Sequence, residues 1–507
     1  MHTQYLIFAA IALVAARLLT IVTQTLLSPL RTVPGPFLAR LTNLWYLQRV
    51  RNGSFEWENI ELHRKHGPVV RVAPNMYSID DPDVIKAVYA INSRFPKSDW
   101  YEGWKHPDPE RWSLFTLRDM KKHSEERRKF QALYSMSSLV HYEPYVDECL
   151  ELFNQRMTEV ANAGKTINMA HWVQCYAFDV IAYLTYSKRF GFLDTGLDVD
   201  SLIAMLEDVL RYSTLIGIYA RLHPILWPIT TKIKASGAGA PRLNSCIQKW
   251  MDEKTASQDV EKLTERTEDQ TGPQDFLEKL LIAHNKEPGK VTKYNVYAAG
   301  LSNITAGSDT TASTISGILY HLVRNPDKLQ RLRDEIDQFA ADGKISRPIQ
   351  FKEAQQMPYL QAVMKEGMRC HSAVGLPLWR VVPEEGLTVS NRFFPGGTVV
   401  GVNAWCAHFN KSVFEDPYTF KPERWLEVEK EGGDRLRQMD GYYLPFGLGS
   451  RTCIGRHIST LEMSKLIPEL LRSYDLELAS NKSWETTNWW FVKPKQFSVK
   501  VKVRGVA

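Results

Sequence analysis

With 507 residues the chain has room for two or three average domains, yet no low-complexity linker or internal repeat divides it. Apolar content of 44% suits a large globular core, and a net charge of +6 without a basic stripe of interleaved aromatics speaks against nucleic acid as a partner. Cys149, Cys175, Cys246, Cys370, Cys406 and Cys453 form no CxxC pair and no Cys/His cluster, which speaks against zinc and fits a reducing compartment.

The N-terminus is apolar from Tyr5 to Ala16 and again from Leu18 to Leu27, together about the 20 residues that span a bilayer. Arg17 interrupts the run at a cost of about 2.5–3.5 kcal/mol if held mid-membrane, unless it snorkels to the headgroups. A cleaved signal peptide is the rival reading, but it wants positive charge ahead of the apolar run, and only His2 and the amino terminus precede it. Arg31, Arg40, Arg49 and Arg51 follow instead, so the positive-inside rule puts the main body in the cytosol. Residues 1–28 are therefore expected to be an uncleaved anchor. Val33-Pro34-Gly35-Pro36 makes residues 29–40 a stiff, proline-rich hinge, and residues 41–507 form the main domain.

Val69–Ile79 reads as strands around Pro74-Asn75, and from there to about residue 330 the pattern is mostly helical. Residues 98–116 carry Trp100, Tyr101, Trp104, Trp112 and Phe115, suited to a bulky apolar ligand or to simple packing. His123 and Arg127 share a helical face, amid Lys121, Lys122, Arg128 and Lys129. Lys234–Pro241 and Lys254–Pro273 read as exposed loops. Tyr294–Asn325 is one long helix, stopped by Asn325-Pro326. Within it lies Ala306-Gly307-Ser308-Asp309-Thr310-Thr311, a cluster of poor helix formers that predicts a weak point. It is either a packing kink or a widened groove for a small ligand.

Asp327–Phe339 and Met357–Cys370 are further helices, the second placing Glu366 and Arg369 on one face. Alone, that pair is a surface ion pair worth about 0–1 kcal/mol. Arg380 follows, then Phe420-Lys421-Pro422-Glu423-Arg424-Trp425. A last helix is expected from Ile454 to about Tyr474, and a terminal hairpin over Trp489–Val503.

The most informative run is Phe446-Gly447-Leu448-Gly449-Ser450-Arg451-Thr452-Cys453-Ile454-Gly455. The glycines permit a tight turn and close approach to a flat cofactor. Backbone N–H groups in such a turn can stabilise a thiolate, Arg451 can pair with a haem propionate, and Phe446 can keep water off the sulfur. A buried, inert cysteine is the ordinary fate of a free Cys453. Here the flanks match FxxGxRxCxG at every fixed position, and the chain resembles the cytochrome P-450 superfamily of haem-thiolate monooxygenases. An axial thiolate favours O–O cleavage.

That resemblance implies a mainly α fold with small β-sheets behind an N-terminal transmembrane helix. It implies haem b held by Cys453, with Phe446, Gly449, Arg451 and Gly455 around it. It gives Thr310 a hydrogen bond to dioxygen and Asp309 a part in relaying protons. Glu366, Arg369 and Arg424 become a buried triad behind the haem, with Trp425 where Phe is common. Arg127 and Arg380 become propionate contacts, and so does His123, which stands where the family has Trp. No flavin or dinucleotide site is evident, so electrons would come from NADPH through a separate cytochrome P-450 reductase, attracted by the basic face that includes Arg456. The body of the chain is most similar to fungal microsomal members of the pisatin demethylase kind, which implies an endoplasmic-reticulum enzyme facing the cytosol. The expected reaction is hydroxylation or O-demethylation of a bulky hydrophobic molecule, in secondary-metabolite biosynthesis. A detoxifying demethylase of plant phenolics is one alternative, and an isomerase or dehydratase that needs no external electrons is another.

Overall fold

A computed structural model describes residues 26–233, 239–256, 274–480 and 483–505, with positions 4, 5, 8, 12, 15, 16, 19, 20 and 23 of the leading segment. The anchor expected over residues 1–28 lies largely outside the described residues, and among these no helix is long and apolar enough to cross a membrane.

The helices that position the site are α1 (Phe55–His66), α2 (Met120–Gln131), α3 (Met169–Tyr186), α4 (Leu202–Ile216), α5 (His223–Lys232), α6 (Gly239–Ala256), α7 (Lys293–Arg324), α8 (Pro358–Cys370), α9 (Glu423–Glu431) and α10 (Arg456–Ser473). The long axis is α7. It opens on a capping box, in which Thr292 accepts from the Asn295 amide at 3.2 Å and Asn295 returns the bond at 2.8 Å. It closes at Asn325, because Pro326 cannot continue the ladder. Nearly all of α3 is buried, and it lies along α7, tied to it by the Asn303 amide donating to the Thr185 hydroxyl at 3.0 Å. Together α3, α7, α8 and α10 enclose the main hydrophobic core.

The strands are β1 (Val69–Ala73), β2 (Met76–Ile79), β3 (Thr166–Asn168), β4 (Arg380–Val381), β5 (Leu387–Val389), β6 (Arg392–Phe394), β7 (Val399–Gly401), β8 (Tyr474–Leu478), β9 (Thr486–Trp489), β10 (Phe491–Pro494) and β11 (Ser498–Val503). The largest sheet runs β1-β2-β7-β4, with β2 and β7 parallel through Tyr77 opposite Val400. It carries a second apolar core and holds Arg380 at its edge. The architecture is mainly helical with small sheets, as expected.

Three expectations need correction. The C-terminal hairpin is β9–β10, turning at Trp490 with φ +78°, whereas β11 leaves it to pair with β8 and β3. The loops drawn at 234–241 and 254–273 overreach, since α6 already starts at Gly239 and runs through Ala256; residues 234–238 and 257–273 lie outside the described residues. The weak point expected at 306–311 does not interrupt the helix, which is continuous through the run. Its hydroxyls turn back onto the helix, Ser308 donating to the Ile304 carbonyl at 3.0 Å and Thr310 to that of Ala306 at 2.7 Å.

Candidate active site

The cysteine run folds as a tight loop leading into α10. Gly447 and Gly449 adopt φ +65° and +62°, and residues 449–451 make one 3-10 turn. At Gly449 a side chain is barred twice over, since an added Cβ would stand 2.1 Å from the Tyr89 carbonyl oxygen. Its close approach here is to the backbone of Tyr89 and Ala90. Gly455 has an ordinary φ of −84°, and a Cβ there would meet nothing. The positive-φ role expected of the glycines therefore does not extend to it.

The Cys453 amide donates to the Phe446 carbonyl at 2.8 Å, which closes the loop. Cys453 is exposed, but it opens onto a cavity of about 440 Å³ that it lines with Phe446, Arg451, Arg380 and Thr310. Burial raises its thiol pKa, while the N–H groups of Gly455 and Arg456 and the charges of Arg127 and Arg456 work the other way. The loop so supplies the N–H donors that favour a thiolate.

Above the sulfur stands α7. Thr310 faces the cavity, together with Ala306 and Thr305. Asp309 does not line it. Its carboxylate is buried, accepting from the Gln174 amide at 2.5 Å and from Lys493 at 3.1 Å. The expected pair is thus split, with the hydroxyl on the cavity and the carboxylate turned toward β10, where the Lys493 side chain is 20% exposed. Neither Gln174 nor Lys493 had a signal in the sequence, because each comes from a distant segment.

On one side of the cavity basic groups crowd together. Arg380 and Arg451 are joined there by Lys97, which is buried over the rings of Tyr101 and Phe115 at 4.5 and 4.6 Å. Burial, then the charges of Arg380, Arg451 and Arg127, pushes the Lys97 pKa far down. Burial and Arg380 bring Arg451 to about 10. Burial, with Arg451 and Lys97 next, brings His123 to about 3. His123 and Arg127 do not line the cavity, yet both feel its charges. Among the described residues no Asp or Glu lines the cavity to balance this cluster. Buried cations without an anion are costly, so the cluster fits a flat ligand bearing two carboxylates. With the sulfur below, the donor set suits haem b.

Behind the loop, Glu366, Arg369 and Arg424 are all buried. Arg369 forks onto Glu366 at 2.9 and 2.8 Å, and Arg424 reaches it at 3.0 Å. Burial would raise the Glu366 pKa, but Arg369 and Arg424 hold it below the usual carboxylate value. The triad reaches the cysteine loop through His408, which sequence reasoning missed. Arg369 donates to the His408 carbonyl at 2.8 Å, and the His408 Nε2 accepts the Leu444 amide at 2.8 Å. Burial, with Arg369, holds His408 near a pKa of about 3, so it stays neutral and able to accept.

Trp425 also does more than replace a phenylalanine, because its indole N–H donates to Glu366 at 3.0 Å. Trp425→Phe is expected to lose about 1.5–3 kcal/mol, the worth of a hydrogen bond to a charged group, while haem content stays full. Urea unfolding of both proteins checks this, and unchanged stability would show the bond to be idle.

Of the expected cavity aromatics, Tyr101, Trp104, Trp112 and Phe115 line the space, whereas Trp100 packs behind it against Trp490 at 4.8 Å.

A family model described as cytochrome P450 matches residues 34–501. The chain is 36% identical over 505 residues to a pisatin demethylase of Fusarium vanettenii, covering 98% of this chain and 94% of that one. It is 36% identical over 457 residues to a cytochrome P450 monooxygenase of Aspergillus terreus, with 88% and 90% covered. It is 35% identical over 489 residues to the cytochrome P450 monooxygenase cicH of Emericella nidulans, with 93% and 94% covered.

Proposed function

Because the chain belongs to the cytochrome P450 family, and is thus an oxygen-incorporating oxidoreductase that uses haem b and electrons from a redox partner, we propose that it hydroxylates or O-demethylates a bulky hydrophobic small molecule. The setting we propose is fungal secondary metabolism. The observation that carries this reading is one cavity lined at once by Cys453, Thr310 and a row of aromatic side chains.

Bound haem would supply the activation of dioxygen and the transfer of one of its atoms to the substrate. In this proposal the protein's residues do the rest. Cys453 provides the sulfur ligand, and the N–H groups of Gly455 and Arg456 favour its thiolate against the opposing effect of burial. Arg380, Arg451 and Lys97 would hold the propionates, with the charge of Arg127 and neutral His123 behind them. Glu366, Arg369 and Arg424 keep the loop rigid. Thr310 holds a proton at its hydroxyl on the cavity side, and Asp309 receives protons through Lys493. The basic groups Lys121, Lys122, Arg128 and Arg456 are exposed and suit an acidic NADPH-dependent reductase; Lys129 is already paired with Glu126 at 2.9 Å. Anchoring by residues 1–28 at the endoplasmic reticulum belongs to the same proposal, supported by the apolar run and the arginines after it.

The test is turnover with a reductase and NADPH on a panel of aromatic ethers and phenols, read as oxygenated product. Absence of NADPH-dependent product across the panel would overturn the reading. Thr310→Ala is expected to leave substrate affinity and fold intact, since its hydroxyl bonds only its own helix at 2.7 Å. Product per NADPH consumed should fall several-fold while peroxide rises. Unchanged coupling would remove Thr310 from the proton path.

A further inference from the structure

The cavity has a charge as well as a shape. Among the described residues its lining includes no Asp or Glu. Its basic groups fall into two sets. Lys97, Arg380 and Arg451 form the set assigned above to the propionates, which would neutralise it. The second set, Lys105 and Arg111, has no such assignment and belongs to the aromatic segment that follows Trp104.

Lys105 has no ion-pair partner among the described residues. Arg111 meets only Asp108, at 3.6 Å, in a pair about half exposed on both sides, and Asp108 is not part of the lining. Such a pair adds little and leaves the guanidinium free to act elsewhere. The charge of Arg111 is felt by the hydroxyls of Tyr294 and Tyr297, two lining groups on α7. His106 between them is held below its ordinary pKa, by burial first and then by Arg111, so it adds no charge at neutral pH. On their outer side Lys105 and His106 face a small hollow with Asp99 and Glu102, of which Glu102 is taken by Arg118 at 3.2 Å. Neutral groups complete the wall. Ser213, Asn244 and Ser302 line it, and their side chains make no hydrogen bond to any described residue, ready for hydroxyl or carbonyl oxygens.

Resting on the monooxygenase reading, we propose that the substrate is an oxygenated aromatic acid, carrying a carboxylate or an ionised phenol, whose anionic end lies toward Lys105 and Arg111. Amines are disfavoured, because a cation would come to lie beside Lys105 and Arg111 on a wall that offers it no carboxylate among the described residues.

Three ligands of near-equal size separate charge from shape: naphthalene-2-carboxylate, 2-naphthylmethanol and 2-naphthylmethylammonium. Equilibrium dialysis against the haem-loaded full chain measures their affinities without needing turnover. The carboxylate is expected to bind about tenfold tighter than the ammonium, and the gap should narrow as salt is raised. In Lys105→Gln/Arg111→Gln the gap should shrink to about twofold with alcohol binding unchanged. Each single variant should remove part of it, which covers failure of the double variant to fold. Equal affinities, absence of saturable carboxylate binding, or a gap that survives in the variants would overturn the proposal. Failure of the underlying reading shows elsewhere, as a carbon-monoxide difference spectrum without the red-shifted Soret band, and leaves the dialysis order legible.

Discussion

Glu366→Ala is expected to give a protein that binds no haem and no longer unfolds cooperatively. The carboxylate is the common acceptor for Arg369, Arg424, the Trp425 indole and the Lys421 amide. Removing it leaves two buried guanidinium groups facing each other. Breaking a buried pair from one side costs about 3–5 kcal/mol, against a total stability of about 5–15 kcal/mol for a folded protein. The damage also travels, because Arg369 holds the His408 carbonyl and His408 holds Leu444, at the root of the cysteine loop. Glu366→Gln, which keeps volume and an acceptor oxygen, should fall between wild type and alanine. Circular dichroism melts with haem quantified in parallel are the measurement. An alanine variant with full haem content would sink the idea. The same carboxylate predicts an acid limit. Its folded pKa is depressed, so its contribution is complete at neutral pH and is lost as the pH falls through that lowered value.

Cys453→Ser is expected to abolish turnover and the red-shifted carbon-monoxide band while leaving the fold in place. The loop is shaped by backbone, through the Cys453 amide on Phe446 and the positive-φ glycines, none of which needs sulfur. A serine hydroxyl fills the same opening but is not a thiolate donor. The melting temperature should move by no more than a few degrees. A red-shifted band that persisted in the variant would show that another residue is the ligand. A collapse of stability in the haem-free protein would instead give Cys453 a structural part.

The cysteine loop, the long helix and the two halves of the triad were legible in the sequence because each is local. A turn needs glycine at fixed offsets, and a helix needs its caps and period. Lys97 was not legible, because its meaning lies in Arg380 and Arg451 converging on it from far along the chain. His408 was silent for the same reason, as a histidine in the short helix Ala404–His408 that happens to bridge α8 and the loop. Asp309 was found by motif, but its direction was not, since Gln174 and Lys493 decide which way it turns. The poor helix formers at 306–311 leave the helix continuous because propensity is a weak prior and α3 packs against that stretch, with Ile181 against Gly307.

The contacts of Gly449 with Tyr89 and Ala90, and the bond from Arg451 to the Leu117 carbonyl at 2.7 Å, bind the end of the chain to its first quarter. A ribosome finishes the first partners more than three hundred residues before it makes the second. The early segments must therefore wait, holding an incomplete wall, until residues 449–451 have been made. Non-local closure of this kind is slow and comes late in folding. The pocket cannot close until the residues around Cys453 have been made, and a truncation anywhere before Cys453 forfeits it as a whole rather than weakening it.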